Sequence, residues 1–263
     1  RWVLKWKVVD GARKVKARLT VQGFRDCQQG ESWFDNYAGT TSRWAQRLVL
    51  AVAAQRGWKV RSADVSEAFL RGLTFKELAE QKGEPKRSVQ LLLPPGSTAL
   101  LKLLPNMSDF NEQSEVLDML KPGYGLKDAP RLWNLALQRV LDGLGFKAVL
   151  ADRQLFVLHS HNGNQAELQV ILSTHVDDLK MAGNEEAIAK VLKALEKEFD
   201  KLKVEEGKFE HCGIMHEQNL NDYSITVDQT HYIGQLRPMA DDSCKHMQPE
   251  ELVAAEMQKT DMS

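Results

Sequence analysis

The segment from residue 155 to residue 199 constrains the fold most, because it combines apolar strands with one strongly amphipathic helix. Residues 155–158, 168–176 and 179–182 are apolar runs with short polar connections, which is typical of strands in an antiparallel sheet. Asn184 can cap the helix that follows, in which apolar residues recur at helical spacing: Ile188, Val191, Leu192, Leu195 and Phe199. Such a stripe must cover a sheet. We therefore expect an α+β fold with helices packed on one face of an antiparallel sheet.

Turn and cap residues predict the elements outside this segment. Asp10-Gly11 favours an N-terminal hairpin of strands 2–7 and 14–21. Thr41 or Ser42 can cap a helix over 43–56 that ends at Gly57. Its predicted apolar face consists of Leu48, Ala51 and Val52. The other predicted elements are a strand at 58–64, a helix at 130–144, a hairpin of 213–217 with 223–227, and a short helix from Thr230.

Charge is distributed unevenly along a chain whose composition is otherwise ordinary. Hydrophobic residues make up 43% and charged residues 27% of the 263 residues, which excludes a disordered or collagen-like chain. The formal net charge of -1 gives no global attraction to nucleic acid, so a polyanion site must be local. Residues 1–25 provide one, with a single acid, Asp10, against a run of cations: Arg1, Lys5, Lys7, Arg13, Lys14, Lys16, Arg18 and Arg25.

Targeting and redox signals are weak. No apolar run reaches the roughly 20 residues of a membrane span, and the charged start does not resemble a signal peptide, so we expect no membrane partner. Cys27, Cys212 and Cys244 are too few and too scattered for a disulfide framework, which fits a reducing compartment. Because residue 1 is Arg rather than Met, we expect a piece of a longer polypeptide.

Acidic residues follow two apolar strands that are far apart in the sequence. Asp177 and Asp178 end the strand at 168–176, and both can face one site only if the chain turns there. Asp64 ends the strand at 58–64 in the same way. An ordinary Asp-rich turn is the simpler interpretation of an isolated acidic pair. Three such carboxylates together would instead suit two hard cations that assist an in-line phosphoryl transfer.

Six short motifs occur along the chain: WVLKWK at 2–7, KARL at 16–19, DVSEAFL at 64–70, YGLKDAPR at 124–131, HVDD at 175–178 and HCGI at 211–214. Taken in order, they resemble those of the copia-type LTR-retrotransposon reverse transcriptase, the RNA-directed DNA polymerase domain of a Pol polyprotein. Each is weak alone, but together they cover nearly the whole chain in the family's order and spacing.

The resemblance implies a right-hand polymerase with fingers and palm and with the thumb largely missing. It places the fingers at 1–57 and the palm strand with the first catalytic acid at 58–72. A loop-rich fingers insertion, which Gly and Pro break into short pieces, occupies 73–123. The palm continues over 124–227 with the acidic hairpin and a hairpin that holds the primer, and 228–263 would start the thumb or connection.

The resemblance also implies roles for individual residues. Asp64, Asp177 and Asp178 match the catalytic acids, with Asp64, Asp177 and the carbonyl of Val65 holding Mg²⁺, or Mn²⁺ as an alternative ion. Asp178 also belongs to the metal-binding set and stands nearer the primer end. The residues matched to nucleotide binding are Lys16, Arg18, Phe69, Tyr124 and Gly125. Those matched to template or primer binding are Lys127, Arg131, His175, Cys212, Gly213 and Ile214.

Each of these assignments has a plainer alternative. Phe69 could be a core residue, and Lys16 with Arg18 could form a solvated strand face. Residues 124–131 could be a Gly-rich turn leading into a helix N-terminus, and residues 212–214 an ordinary apolar hairpin. The sequence departs from the family pattern at four places. His175 stands where Tyr is usual, and Asp128 where an amide is common. The stretch 33–43 lacks the family's usual string, and residues 20–22 replace a more basic step.

Two functions from different classes follow. The first is an RNA-directed DNA polymerase that uses an RNA or DNA template with a primer and deoxynucleoside triphosphates, in cytoplasmic particles and in the nucleus after import. The second is a catalytically silent remnant that only binds nucleic acid. A zinc module of His211, Cys212, Cys244 and His246 lacks the usual ligand spacing. A serine hydrolase is not indicated either, because the sequence has no Gly-x-Ser-x-Gly motif.

Overall fold

The structure, a computed structural model, describes residues 1–9, 11–162 and 165–236. The strands, numbered along the chain, are β1 (Trp2–Val9), β2 (Ala12–Leu19), β3 (Val60–Val65), β4 (Gln90–Leu91), β5 (Leu117–Asp118), β6 (Lys147–Val149), β7 (Asp152–Asn162), β8 (Gln165–His175), β9 (Asp178–Gly183), β10 (Leu202–Glu206), β11 (Lys208–His211), β12 (Ile214–Gln218) and β13 (Ile225–Asp228). The helices are α1 (Arg43–Arg56), α2 (Phe75–Lys82), α3 (Ser97–Leu101), α4 (Ala129–Gly143), α5 (Glu185–Phe199) and α6 (Thr230–Gln235).

A six-stranded antiparallel sheet in the order β10-β3-β9-β8-β7-β6 forms the centre of the molecule. Helices α4 and α5 pack on one of its faces, and the strands present to them the apolar side chains of Ala63, Val65, Phe156, Val170, Leu172, Leu179 and Met181. Helix α1 packs on the opposite face against Val60, Leu155, Ile171 and Ala182. The mixed α+β architecture with an antiparallel sheet is confirmed. The expectation that helices cover only one face is wrong, because a central sheet buried on both sides needs a cover on each.

Helix α1 has the predicted bounds but buries a different face. The Ser42 hydroxyl accepts from the Ala45 amide, and Gly57 ends the helix at φ 62°. The side chains in contact with the sheet are Ala45, Val49 and Ala53, whereas Leu48 is 47% exposed. Small residues let the helix approach the strands closely. The predicted face is therefore wrong at Leu48 and Ala51, which are exposed, whereas Val52 is half-buried and packs against the same cluster.

Strands β10 and β11 had not been predicted. Strand β10 pairs with β3 at the edge of the central sheet, from Leu202 opposite Val65 to Glu206 opposite Arg61. Its sequence, LKVEE, carries three charged side chains and only two apolar ones. Edge strands are commonly charged, so their pattern is weak in the sequence.

The N-terminal hairpin of β1 and β2 has the predicted arrangement and two unlike faces. Lys5 pairs with Lys16 and Val3 with Arg18, so Lys5, Lys16 and Arg18 lie on one face because directly opposed residues point the same way. The other face holds apolar side chains that are more than 40% exposed: Trp2, Leu4, Trp6 and Val15. Gly11 lies in the connection at φ 74°, while Asp10 lies outside the described residues.

The end of β2 is fixed against the loop before α4 by backbone contact. The Val21 amide donates to the Tyr124 carbonyl at 2.8 Å. A Cβ atom at Gly125, where φ is 97°, would lie 2.1 Å from the Val21 carbonyl oxygen, and one at Gly23 would lie 2.0 Å from the Gly125 oxygen. Only glycine permits this approach. The cationic hairpin is thereby anchored to the segment that precedes α4.

A buried cation strengthens the same junction. The Arg87 guanidinium, 2% exposed, donates to the carboxylates of Asp26 and Asp128 and lies over the ring of Phe34 at 4.9 Å. Hydrogen bonds to both carboxylates compensate the cost of burying the three charges. An acid at Asp128 is therefore explained by its partner, Arg87.

The stretch 73–123 is irregular, as predicted, with one well-capped helix. The Thr74 hydroxyl accepts from the Glu77 amide, while the Glu77 carboxylate accepts from the Thr74 amide, a capping box at the start of α2. At the other end of the chain, α6 begins at Thr230 as predicted, and residues 237–263 lie outside the described part. Within the described residues, no helix combines the length and apolar character needed to cross a membrane.

Candidate active site

Three carboxylates predicted from distant motifs meet at one end of the central sheet. Asp64, the fifth residue of β3, lies directly opposite Asp178, the first residue of β9. Opposed residues of an antiparallel pair point to the same face, so these two side chains are neighbours. Asp177 stands between β8 and β9, and its carbonyl oxygen accepts from the Val65 amide at 3.2 Å. The structure thus brings Asp64, Asp177 and Asp178 together.

The turn that carries the acidic pair has unusual backbone geometry. His175 pairs with Asp178, leaving Val176 and Asp177 as a two-residue connection. Val176 has φ 58°, a left-handed conformation that is costly for a β-branched side chain. The Trp133 indole Nε1 of α4 donates to the Val176 carbonyl at 2.6 Å, and this bond helps to hold the turn.

Negative charge is concentrated at this site. Burial, together with the nearby carboxylates of Asp177 and Asp64, raises the pKa of Asp178 to about 6. Asp177 is exposed, and Asp178 and Asp64 are partly buried. Carboxylates that repel one another in this way are suited to divalent cations, which take oxygen ligands and neutralise the charge.

A chain of aromatic and cationic contacts leads from the acids to the N-terminal hairpin. The rings of Phe69 and Tyr124 meet edge to face with centroids 5.9 Å apart, and the Arg18 guanidinium lies 5.3 Å from the Tyr124 ring centroid. The pKa of the Tyr124 hydroxyl is raised mainly by burial, with Glu67 and Asp177 adding to the effect and Arg18 opposing it. The structure therefore brings Arg18, Phe69 and Tyr124 together near Asp177, with Gly125 adjoining them.

The other basic residues singled out from the sequence differ in environment. Lys16 is exposed on β2, on the same face as Arg18, and Lys127 is exposed before α4. Arg131 is 7% exposed and forms a two-point ion pair with Glu84 at 2.7 and 3.1 Å, and a third contact with Asp35 at 3.0 Å. A guanidinium held in this way links α4 to two loops. Arg131 thus has partners within the protein, and its contact with the template backbone stays a prediction.

The hairpin of β11 and β12 reaches the acids from the α1 side of the sheet. His211 pairs with Ile214, and Cys212 and Gly213 form the tight turn between them at φ 52° and 74°. Donor atoms of Cys212, His211 and Asp178 all lie within 4.8 Å of one another. The predicted primer-binding residues thus lie beside the catalytic candidates, and His175 precedes the acidic turn.

Comparison with known proteins identifies the family. A family model described as "Reverse transcriptase (RNA-dependent DNA polymerase)" matches residues 1–241. The chain belongs to this family. The reverse transcriptase domain is similar to a stretch of the retrovirus-related Pol polyprotein from transposon RE2 of Arabidopsis thaliana, with 30% identity over 202 residues, 76% of the chain and 12% of the relative.

Two further relatives carry the same kind of name. The retrovirus-related Pol polyprotein from transposon RE1 of Arabidopsis thaliana is 29% identical over 187 residues, covering 70% of the chain and 11% of the relative. That from transposon TNT 1-94 of Nicotiana tabacum is 28% identical over 204 residues, covering 76% of the chain and 13% of the relative. The copia-type resemblance is confirmed, and the chain spans about an eighth of each relative's length.

The sequence analysis of this reverse transcriptase domain did not predict a buried polar cluster beneath the acidic pair. Lys180 of β9 is 1% exposed, and its Nζ lies 3.4 Å from Nε2 of His216, whose Nδ1 donates to the Ile214 carbonyl at 2.9 Å. Burial lowers the pKa of Lys180 to about 8 and that of His216 to about 4. Lys180 interrupts the apolar run of β9, which was the one available signal in the sequence.

Trp133 was missed as well. It lies 1% exposed within the α4 face of the core, and its ring meets that of Phe199 edge to face at 4.8 Å. Its place in the sequence indicates only a core aromatic residue. The hydrogen bond to the acidic turn depends on the tertiary packing of α4 against β8.

Proposed function

We propose that this domain is an RNA-directed DNA polymerase that transfers nucleotides to a primer strand. The primer 3′ hydroxyl oxygen forms a bond to the α phosphorus of a deoxynucleoside triphosphate, and the bond to the leaving pyrophosphate breaks. The observation that carries this proposal is the juxtaposition of Asp64 with Asp177 and Asp178 across paired strands of the central sheet.

The carboxylates fit divalent metal ions. The raised pKa of Asp178 reports mutual repulsion as well as burial, and a cation between the acids would relieve that repulsion. Asp64, Asp177, Asp178 and the carbonyl of Val65 would hold Mg²⁺, with Mn²⁺ as an alternative. When bound, such ions stabilise the charge on the attacking and leaving oxygens of an in-line displacement.

The nucleotide would lie between the acids and the cationic hairpin. Arg18, already directed toward Tyr124, is placed to bind phosphate oxygens, and Lys16 on the same strand face can add a second positive charge. Phe69 and Tyr124 would form the aromatic floor beneath the sugar and base. Gly125 leaves this floor free of a side chain.

The primer end would meet the turn of β11 and β12. Cys212 lies beside Asp178, and Gly213 and Ile214 continue the same turn, so Asp178 would stand nearer the primer than Asp177 does. Lys127 is exposed next to Gly125 and can approach the template backbone. His175 occupies the position before the turn, where it can contact the primer. These partners would be met in retrotransposon particles in the cytoplasm, and in the nucleus after import.

Primer extension on an RNA template with Mg²⁺ tests the proposal. We expect the native chain to extend the primer and Asp177→Asn to lose extension by at least about 100-fold, since charge stabilisation at a reacting centre is worth several kcal/mol. Asp142→Asn, which removes the same charge from an exposed position on α4, is the control and should retain extension.

Binding to the labelled primer–template is measured on the same samples. Retained binding with lost extension in Asp177→Asn supports the catalytic assignment. Salt-sensitive binding with no extension by the native chain, in Mg²⁺ or Mn²⁺, would identify a silent nucleic-acid-binding remnant instead. Equal extension by the native chain and Asp177→Asn would remove the assignment of the acids.

A further inference from the structure

The tip of the β11–β12 hairpin brings three different donor types together. A carboxylate oxygen of Asp178, a ring nitrogen of His211 and the sulfur of Cys212 all lie within 4.8 Å of one another. Hard ions such as Mg²⁺ prefer oxygen ligands alone. A set that includes imidazole and thiol instead suits a borderline-soft transition metal ion.

The imidazole of His211 has an unsatisfied atom at this point. The side chain is 1% exposed, and its Nε2 is buried without a hydrogen-bond partner among the residues that the structure describes. Its Nδ1 lies 3.4 Å from the Ser62 hydroxyl oxygen. A buried nitrogen without a partner is costly, and metal-binding histidines commonly use one nitrogen for the ion and the other for a neighbouring polar group.

Cys212 is held in position by its backbone. Its φ of 52° and that of Gly213 at 74° define the tight turn, in which the sulfur lies within 4.8 Å of a carboxylate oxygen of Asp178. The amide Nε2 of Gln46 on α1 lies 3.9 Å from the sulfur and can donate to it. Burial and the nearby Asp178 raise the pKa of the Cys212 thiol to about 11, and the Gln46 donor offsets this only in part, so a bound divalent ion would have to supply the larger stabilisation of the thiolate.

We propose that Asp178, His211 and Cys212 form a binding site for one transition metal ion of the Zn²⁺ class, separate in its ligand chemistry from the Mg²⁺ site of the three acids. Three protein ligands leave a fourth position of a tetrahedral ion open. The side chains must close by about 1 Å for normal tetrahedral ligand separations, a movement within the reach of side-chain rotation. Binding displaces the thiol proton of Cys212 to solvent and leaves the oxidation state of the metal unchanged.

The proposed transition-metal site shares Asp178 with the three-acid site, so its occupancy would affect catalysis. This expectation rests on the proposed polymerase function. An ion bound to Asp178, His211 and Cys212 withdraws Asp178 from the acidic set and sits where the primer end would lie. Occupancy is therefore expected to inhibit primer extension, and excess Mg²⁺ should not restore it at equal Zn²⁺ because thiolate and imidazole favour Zn²⁺.

Metal binding is tested without nucleic acid or nucleotide, so that its outcome is independent of catalysis. Co²⁺ serves as the spectroscopic probe, because a thiolate ligand gives a charge-transfer absorption in the near ultraviolet. We expect about one equivalent of Co²⁺ to produce this band in the reduced native protein and Zn²⁺ to displace it. Cys212→Ser should abolish the band, and Asp178→Asn should keep it while weakening Co²⁺ affinity about 10- to 100-fold.

Cysteine variants elsewhere provide the matched controls. Cys27→Ser removes an exposed thiol outside the cluster and should leave the band unchanged, as should Cys244→Ser. The proposal is overturned if the native protein gives no thiolate band, or if the band persists in Cys212→Ser. Loss of the band in Cys244→Ser would also overturn it, in favour of a site that includes the C-terminal Cys244 and His246. Circular dichroism of each variant without metal verifies that it has folded.

Discussion

The two faces of the central sheet differ in what they bury. The face toward α4 and α5 buries a large apolar core with Leu172, Met181 and Leu195 among its fully buried members, and its buried cation, Arg61, is paired with Glu185 and Glu206. The opposite face, toward α1 and the β11–β12 hairpin, buries a smaller apolar set together with Lys180, His211 and His216. Apolar burial stabilises the fold without regard to direction, whereas buried polar groups cost stability unless they are paired. The α4–α5 face therefore maintains the fold, and the α1 face carries the chemistry of the site.

The largest expected effect is on the free energy of unfolding, when a buried apolar side chain is shortened on one face of the sheet or the other. Leu172 and Ile171 are neighbours on β8 that point to opposite faces, and both are buried. We expect Leu172→Ala to lower the free energy of unfolding by about 4 kcal/mol and Ile171→Ala by about 2 kcal/mol, because the smaller cluster around Ile171 can close over the lost volume. Urea unfolding measures both. An equal or greater loss in Ile171→Ala would contradict the comparison.

The next effect concerns the buried amine of the α1 face. Burial lowers the pKa of Lys180 from 10.5 to about 8, so the unfolded chain binds this proton more tightly than the folded protein does. The destabilisation is fully present below pH 8 and disappears as the pH rises toward 10.5. We expect the stability of the native protein, relative to Lys180→Met, to rise by roughly 3 kcal/mol between pH 7 and 10.5.

Lys193→Met, at an exposed position on α5, is the control for this pH dependence. It should show no comparable change relative to the native protein over the same interval. Unfolding midpoints in urea across the pH series give the comparison. A constant difference between the native protein and Lys180→Met would mean that the amine is well solvated, and the two faces would then be less unlike than the burial indicates.

The smallest expected stability effect concerns Trp133, whose contacts connect the two faces of the sheet. Trp133 belongs to the α4 core but donates through Nε1 to the carbonyl of Val176 in the acidic turn. Trp133→Phe keeps an aromatic ring but loses the hydrogen bond and part of the buried volume, at a cost of about 2 kcal/mol. We expect the maximal rate of primer extension to fall by roughly 5-fold with little change in KM for the nucleotide, because the bond positions the turn rather than the substrate.

Trp44→Phe on the exposed side of α1 is the matched control and should leave extension unchanged. A loss of stability in Trp133→Phe with an unaltered extension rate would limit Trp133 to a packing role. A rise in KM with an unchanged maximal rate would indicate that the indole affects nucleotide binding instead.

Local sequence patterns were most reliable where an element depends on its own residues. The hairpin of β1 and β2, the caps of α1 and α5, and the strands that lead into the acidic pair were all predicted close to their bounds. The motif order also predicted that Asp64 and Asp178 converge, and strand pairing places them opposite each other. The ion pairs of Arg131 were not predicted, because its partners, Glu84 and Asp35, come from distant loops.

The sequence by itself determined the α+β class, the family, and the residues that form the acidic site, because periodicity, turn chemistry and motif order are local properties of the chain. Only the tertiary structure decided which face of α1 is buried, that β10 completes the sheet edge, and that Lys180, His211 and Cys212 lie beneath or beside Asp178. Burial and pairing are properties of contacts between distant segments. Whether a cation such as Arg131 or Lys180 is exposed to solvent or buried therefore depends on the segments that pack against it.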